Sequence, residues 1–206
     1  LVTADCRLPA IDPGQSVTLA VTVHADPAST GGTSTVSLPG QGPGVPVDLT
    51  VQSGIATLTV EATTPLVADG ATYPLTISAA PADPSVTDLG SITVDTGSDE
   101  LTMACGGPAA RQVTCAFTGP TLPVTLTVAR TAAPGPLTLT AVDLAQRPIR
   151  TDVGSLAIKT PAALSLSPLT VTSPLVAGGT GAVTVTVSNT GGASAANEIS
   201  HAETPM

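Results

Sequence analysis

PVTLTVAR, residues 123–130, places Val124, Leu126 and Val128 on one face of an extended chain and Thr125 and Thr127 on the other. Successive side chains of a strand point to opposite faces, so this period of two predicts a half-buried β-strand. The same alternation recurs in SVTLAVTV (16–23), with Val17, Leu19, Val21 and Val23 facing inward, and in GAVTVTVSN (181–189), with Val183, Val185 and Val187. Further strands are expected at 33–38, 47–52, 56–62, 73–79, 91–95, 100–105, 112–117, 137–142, 155–159 and 164–172. No window carries a convincing helical period. Short strands at close spacing, separated by Gly, Pro, Asn and Asp, predict an all-β fold class: tandem immunoglobulin-like β-sandwiches of antiparallel strands.

Composition agrees with strands and turns. The 206 residues include 20 Gly and 20 Pro, no Trp, one Tyr (Tyr73) and one Phe (Phe117), so the core must be built from Val, Leu, Ile and Ala. A formal charge of −9 with only six Lys and Arg disfavours nucleic acid as a partner, because affinity for phosphates rests on cationic neutralisation. Anionic membranes repel such a chain, and no apolar run approaches the roughly 20 residues of a membrane span, so no membrane insertion is expected. The sequence opens on Leu1 rather than Met and carries no signal peptide, which reads as a processed or excised segment.

A repeat sets the domain organisation. TTPLVADG (63–70) returns as TSPLVAGG (172–179), 109 positions on, the same distance that separates Cys6 from Cys115. VTLAVT (17–22) returns as VTLTVA (124–129), and LTVQSG (49–54) as LAIKTP (156–161), both after 107. A unit of this length is that of one immunoglobulin-like domain. Its phase makes 53–159 a complete repeat, 1–52 the C-terminal half of a preceding one and 160–206 the N-terminal half of the next. The half-repeats are expected to be completed from outside the segment, by the parent chain or by a neighbouring copy joined head to tail.

Cys105 and Cys115 flank a Gly-Gly-Pro turn on what reads as a hairpin, close enough to bond across it. That disulfide implies an oxidising compartment, hence an extracellular, cell-wall or cell-surface location. Cys6 is the counterpart of Cys115 and is left unpaired in this segment, its expected partner lying about ten residues before Leu1. Three cysteines and two distant histidines, His24 and His201, are too few for a zinc site, and the spacing is wrong for a CxxC redox motif.

DTGSDE (95–100) gathers Asp95, Asp99 and Glu100, with Asp88 nearby, as oxygen ligands that calcium could use; the alternative is a solvated acidic loop, and no cofactor is expected. DPGQ (12–15) and APGP (133–136) lack the spacing and the lysine of phosphate loops and read as turns. A Ser, His and Asp set can be drawn on paper from His24 and Asp26, but without a nucleophile elbow, so no enzyme is expected. Lys159 is the single lysine and its repeat counterpart is Gln52, which excludes an isopeptide cross-link common to both repeats.

VTVSNTGGASAAN (185–197), QVTCAFTGPTLPVTLTV (112–128) and ADCRLPAIDPGQSVTLAVTV (4–23) together resemble the Ig-like repeats of bacterial surface proteins, including actinobacterial repeats of unknown function and the CARDB adhesion type. Asn189, Thr190 and Gly191 match their Asn-Thr-Gly turn, Cys105 and Cys115 their cysteine hairpin, and Pro13 and Gly14 their Pro-Gly turn. In 53–159 the first turn is replaced by AAPADPS (79–85), and TGPTLP (118–123) lacks the Pro-Gly pair. The resemblance implies a non-enzymatic stalk or adhesion module, partnered by neighbouring repeats, by copies of itself or by a cell-surface or matrix ligand. The alternative is a glycan- or protein-binding accessory module of a larger secreted protein.

Overall fold

Residues 123–128 of the PVTLTVAR stretch lie in a strand, Thr121–Val128, whose inward residues Leu122, Val124, Leu126 and Val128 are all buried. The computed structural model describes residues 10–37, 43–168, 170–171, 177, 179, 181 and 183–195, and among these there are strands and turns but no helix. In chain order the strands are β1 (Gly32–Val36), β2 (Val45–Leu49), β3 (Ile55–Ala62), β4 (Leu66–Val67), β5 (Thr72–Pro81), β6 (Ser91–Asp95), β7 (Leu101–Ala104), β8 (Gln112–Ala116) and β9 (Thr121–Val128). Then come β10 (Gly135–Pro136), β11 (Thr140–Asp143), β12 (Pro148–Asp152), β13 (Ala157–Lys159), β14 (Leu164–Leu166), β15 (Thr170–Val171), β16 (Val183–Thr184) and β17 (Val187–Asn189).

Eight strands form the body in the order β7-β9-β5-β3-β12-β11-β6-β8. β12 divides this run into two layers. Its C-terminal residues Arg150–Asp152 pair with β3, and its N-terminal residues Pro148 and Ile149 pair with β11. One layer thus holds β7, β9, β5, β3 and the C-terminal end of β12, and the other the N-terminal end of β12 with β11, β6 and β8. Leu58, Val60, Leu75, Ile77, Met103, Leu126 and Val128 from the first meet Ile92, Val94, Cys115, Ala141 and Ile149 from the second in one core. Every buried hydrophobic among the described residues falls between Ile55 and Ile158. The outer faces carry threonine; Thr72 and Thr127, and Thr93 and Thr114, touch hydroxyl to hydroxyl at 2.9 Å across neighbouring strands. Pairing is antiparallel apart from β12 with β3 and β13 with β4.

The disulfide closes the other side of the sandwich. Cys105 and Cys115 are bonded, with Cα atoms 5.9 Å apart. The expected hairpin between their strands does not form, because β7 pairs with β9 and β8 with β6 at opposite ends of the strand order. Among the described residues an isolated bridge, Met103 to Ala110, and the Thr96 hydroxyl, which donates to the carbonyls of Leu101 (2.6 Å) and Arg111 (3.3 Å), tie the two sides together. The bond is therefore a clip across the seam between layers, and by closing so short a loop it contributes roughly 2 to 3 kcal/mol.

Two segments depart from the sequence expectation. Residues 16–23 form no strand, and Val17, Leu19, Val21 and Val23 are exposed. Alternation makes a strand only where a neighbour takes its backbone bonds and a second layer covers its apolar face, and no described residue supplies either. Conversely β12 escaped the sequence reading, because Pro148, Arg150 and Asp152 disguise a strand whose single apolar inward residue is Ile149. The 164–172 and 181–189 expectations each resolve into two short pieces, β14 with β17 and β15 with β16.

Candidate functional site: the two junctions

On its N-terminal side the sandwich holds the preceding segment through the Arg147 side chain. β11 and β12 are connected by the turn Asp143–Arg147, in which Gln146 takes a left-handed conformation at φ 62°. Asp143, buried at 5% exposure, accepts from the amides of Ala145 and Arg147, both at 2.9 Å, and from Arg147 Nε at 2.6 Å. This fixes the guanidinium so that its remaining donors point away from the turn. Arg147 Nη1 donates to the carbonyl oxygens of Ser29 (3.1 Å) and Val51 (2.9 Å), and Nη2 to that of Pro27 (3.0 Å). One planar donor set thus gathers three backbone carbonyls from chain 96 to 120 positions away. Ser29 and Val51 stand 107 positions before Pro136 and Ile158, which lie across the β10–β13 pairing of the sandwich. Burial pushes the Asp143 carboxyl up, but the Arg147 amide and guanidinium, with the Ser53 hydroxyl, outweigh it and hold the group below its ordinary value.

The C-terminal junction is a turn folded back on its own linker. Asn189 Oδ1 accepts from the amides of Ala163 (3.1 Å) and Gly191 (3.0 Å), and its Nδ2 donates to the carbonyl of Ala193 at 2.8 Å. Thr160 Oγ1 accepts from the Gly192 amide at 2.7 Å. A Cβ at Gly191 would meet the Pro161 carbonyl oxygen, which is why the turn needs glycine there. The Asn-Thr-Gly motif therefore brackets residues 160–163, the chain leaving the sandwich. The amide of Thr190 bonds the carbonyl of Ala163 at 2.9 Å, as that of Ala82 bonds Gly54 at 2.8 Å, 108 and 109 positions earlier.

The other candidate residues separate. Asp95 and Asp99 converge on a cation already in the chain: Arg111 Nε lies 3.1 Å from Asp95 Oδ1, and Arg111 Nη1 lies 3.5 Å from Asp99 Oδ1. The Gly97 amide and the Arg111 guanidinium hold Asp95 below the usual carboxylate range. Glu100 is joined to the frame through its backbone, its carbonyl accepting from Ala129 at 2.9 Å. The described residues contain no group of three or more potential ligands. His24 and Asp26 line a crevice of about 250 Å³ beside the Arg147 clamp, with Ser85, Asp88 and Ser91. No hydrogen bond joins the two; Asp26 Oδ1 accepts from the Ala28 amide in a local turn. Lys159 is exposed on β13. Cys6 and His201 lie outside the described residues.

Sequence reasoning missed the Arg147 clamp. Its one local sign is the Asp-x-x-x-Arg spacing across a turn; the carbonyls it holds are named by no motif. No family model and no curated protein matches the chain.

Proposed function

We propose that the chain is a non-enzymatic structural module, a spacer or stalk built of Ig-like repeats from a secreted or cell-surface bacterial protein, with adhesion confined to loops. The Arg147 clamp carries this reading, since a side chain that binds three backbone carbonyls of the preceding segment stiffens a joint and exposes no reactive group. The disulfide seam, the threonine-faced outer layers and the resemblance to bacterial surface repeats support it. The complete repeat is residues 53–159, flanked by the halves 1–52 and 160–206. No cofactor is required.

Single-molecule stretching between terminal handles tests this reading. A spacer gives one main unfolding step of roughly 30 nm for residues 55–158, preceded by a smaller release as the clamp yields. Reduction lengthens the main step by about 3 nm, the chain held between Cys105 and Cys115. Smooth extension without a step would contradict a mechanical role.

The alternative, an accessory module that binds a glycan or protein, draws on the crevice at His24 and a second of about 360 Å³ lined by Leu89, Phe117 and Pro120. It requires saturable binding that a bulky substitution at Thr118 abolishes.

A further inference from the structure

The two flanking segments expose complementary halves of one sandwich. Val17 and Leu19 are 44% and 50% exposed, whereas their counterparts 107 positions on, Val124 and Leu126, are 4% and 0% exposed. In the sandwich, β5 takes the backbone bonds of β9 along its length, with Leu75 opposite Val124 and Tyr73 opposite Leu126, while the facing layer covers their side chains.

The C-terminal segment rebuilds the β5 side. Ile55 pairs with Pro81 and Ala62 with Leu75 in the β3–β5 pairing; Leu164 pairs with Asn189 and Val171 with Val183 in the C-terminal segment. Both pairs are displaced by 109 positions on the first strand and 108 on the second, so the geometry repeats as well as the letters. On that register Val183, Val185 and Val187 stand for Leu75, Ile77 and Ala79, all buried in the sandwich. Val183 and Val187 are exposed, and the strands β16 and β17 are paired only on the side of β14 and β15 among the described residues.

We propose that residues 16–23 of one copy add as an antiparallel strand to the free edge formed by 183–189 of a second copy, joining chains head to tail. The occupant follows from the repeat: the strand that covers β5 is β9, and the β9 counterpart in this chain is 16–23. The expected register sets Val183 of one copy opposite Val17 of the other, as Leu75 stands opposite Val124. Main-chain bonds supply affinity, and the alternating valines fix the face. This inference rests on the repeat reading proposed above.

Sedimentation velocity over a concentration series tests it, on the full chain and on two variants altered at exposed positions, Leu19→Asp and Val183→Asp. The unaltered chain is expected to grow in weight-average mass to three copies and beyond as concentration rises. Each variant alone stays monomeric, and a one-to-one mixture of the two stops at twice the monomer mass, because each retains one functional end. Unchanged circular-dichroism melts show that the sandwich of both variants is intact. A monomeric unaltered chain, or a single variant that assembles as the unaltered chain does, overturns the proposal.

A covalent fusion of two copies separates the proposal from the reading beneath it. Hydrogen-exchange protection of 16–23 in the second copy, with free chains monomeric, overturns association and leaves the repeat standing. Absence of protection in the fusion overturns both.

Discussion

Replacing Arg147 by Met removes the guanidinium and keeps most of the stem's bulk. Four bonds go with it: the 2.6 Å contact to Asp143 and the three to Pro27, Ser29 and Val51. The carboxylate is left buried with the two amides of its own turn and the Ser53 hydroxyl, and with no charge to balance it. Breaking a buried pair costs about 3 to 5 kcal/mol, and because the Arg147 side chain is 20% exposed the lower end applies, about 3 kcal/mol. For a domain near a hundred residues that lowers Tm by roughly 12 to 20 °C.

The assay is urea unfolding of Arg147→Met, Asp143→Asn and the double variant. A coupling of about 1 to 3 kcal/mol is expected between the two positions. The pH dependence has a definite sign. Asp143 titrates below its ordinary 3.8 in the folded chain, so its contribution is present above that value and is lost as pH falls through the lower folded one. Without the guanidinium that loss moves to higher pH. A cost under 1 kcal/mol with no coupling would refute the assignment of Arg147 as the clamp.

Further outcomes are expected elsewhere in the molecule. The Cys105→Ala, Cys115→Ala double variant should lose roughly 2 to 3 kcal/mol in denaturant and show a steeper dependence on its concentration, since the unfolded chain opens further; a loss under 1 kcal/mol would contradict the seam-closing role. Tyr73, the single tyrosine, is raised above 10.0 by burial, by its 2.9 Å bond to Asp69 and by that carboxylate's charge, so tyrosinate absorbance should develop above that pH with no second component. Gly191→Ala should speed hydrogen exchange at Ala163 and Thr190 while leaving the melt of the sandwich unchanged; a lower melt would place the turn within the sandwich's cooperative unit.

What the sequence displayed is what alternation can display. β5, β6 and β9 carry regular apolar positions in their own letters, and their buried residues are those the alternation selects; in β3 Leu58 and Val60 follow it, while Ile55 lies beyond a shift in register. The same signal misled at 16–23, because period two reports the face a strand would bury and not whether a partner is present. β12 was hidden for the opposite reason: a strand that passes between layers needs only Ile149 inside and carries charge elsewhere. Pairing of Cys105 with Cys115 was legible from spacing, but the two-layer seam was not, since it depends on β9 and β6 taking the strands apart. The acidic loop was visible while its cation was not, for Arg111 reaches Asp95 across 16 positions. Arg147 is the extreme case, its partners being backbone oxygens that every residue possesses.

The proposed organisation, one whole repeat between two halves, is tested most directly by a non-reducing peptide map of the alkylated chain. The expected result is one linked pair of peptides containing Cys105 and Cys115, with Cys6 in neither. Cys6 bonded to either of them would contradict the repeat phase and the domain boundaries drawn from it.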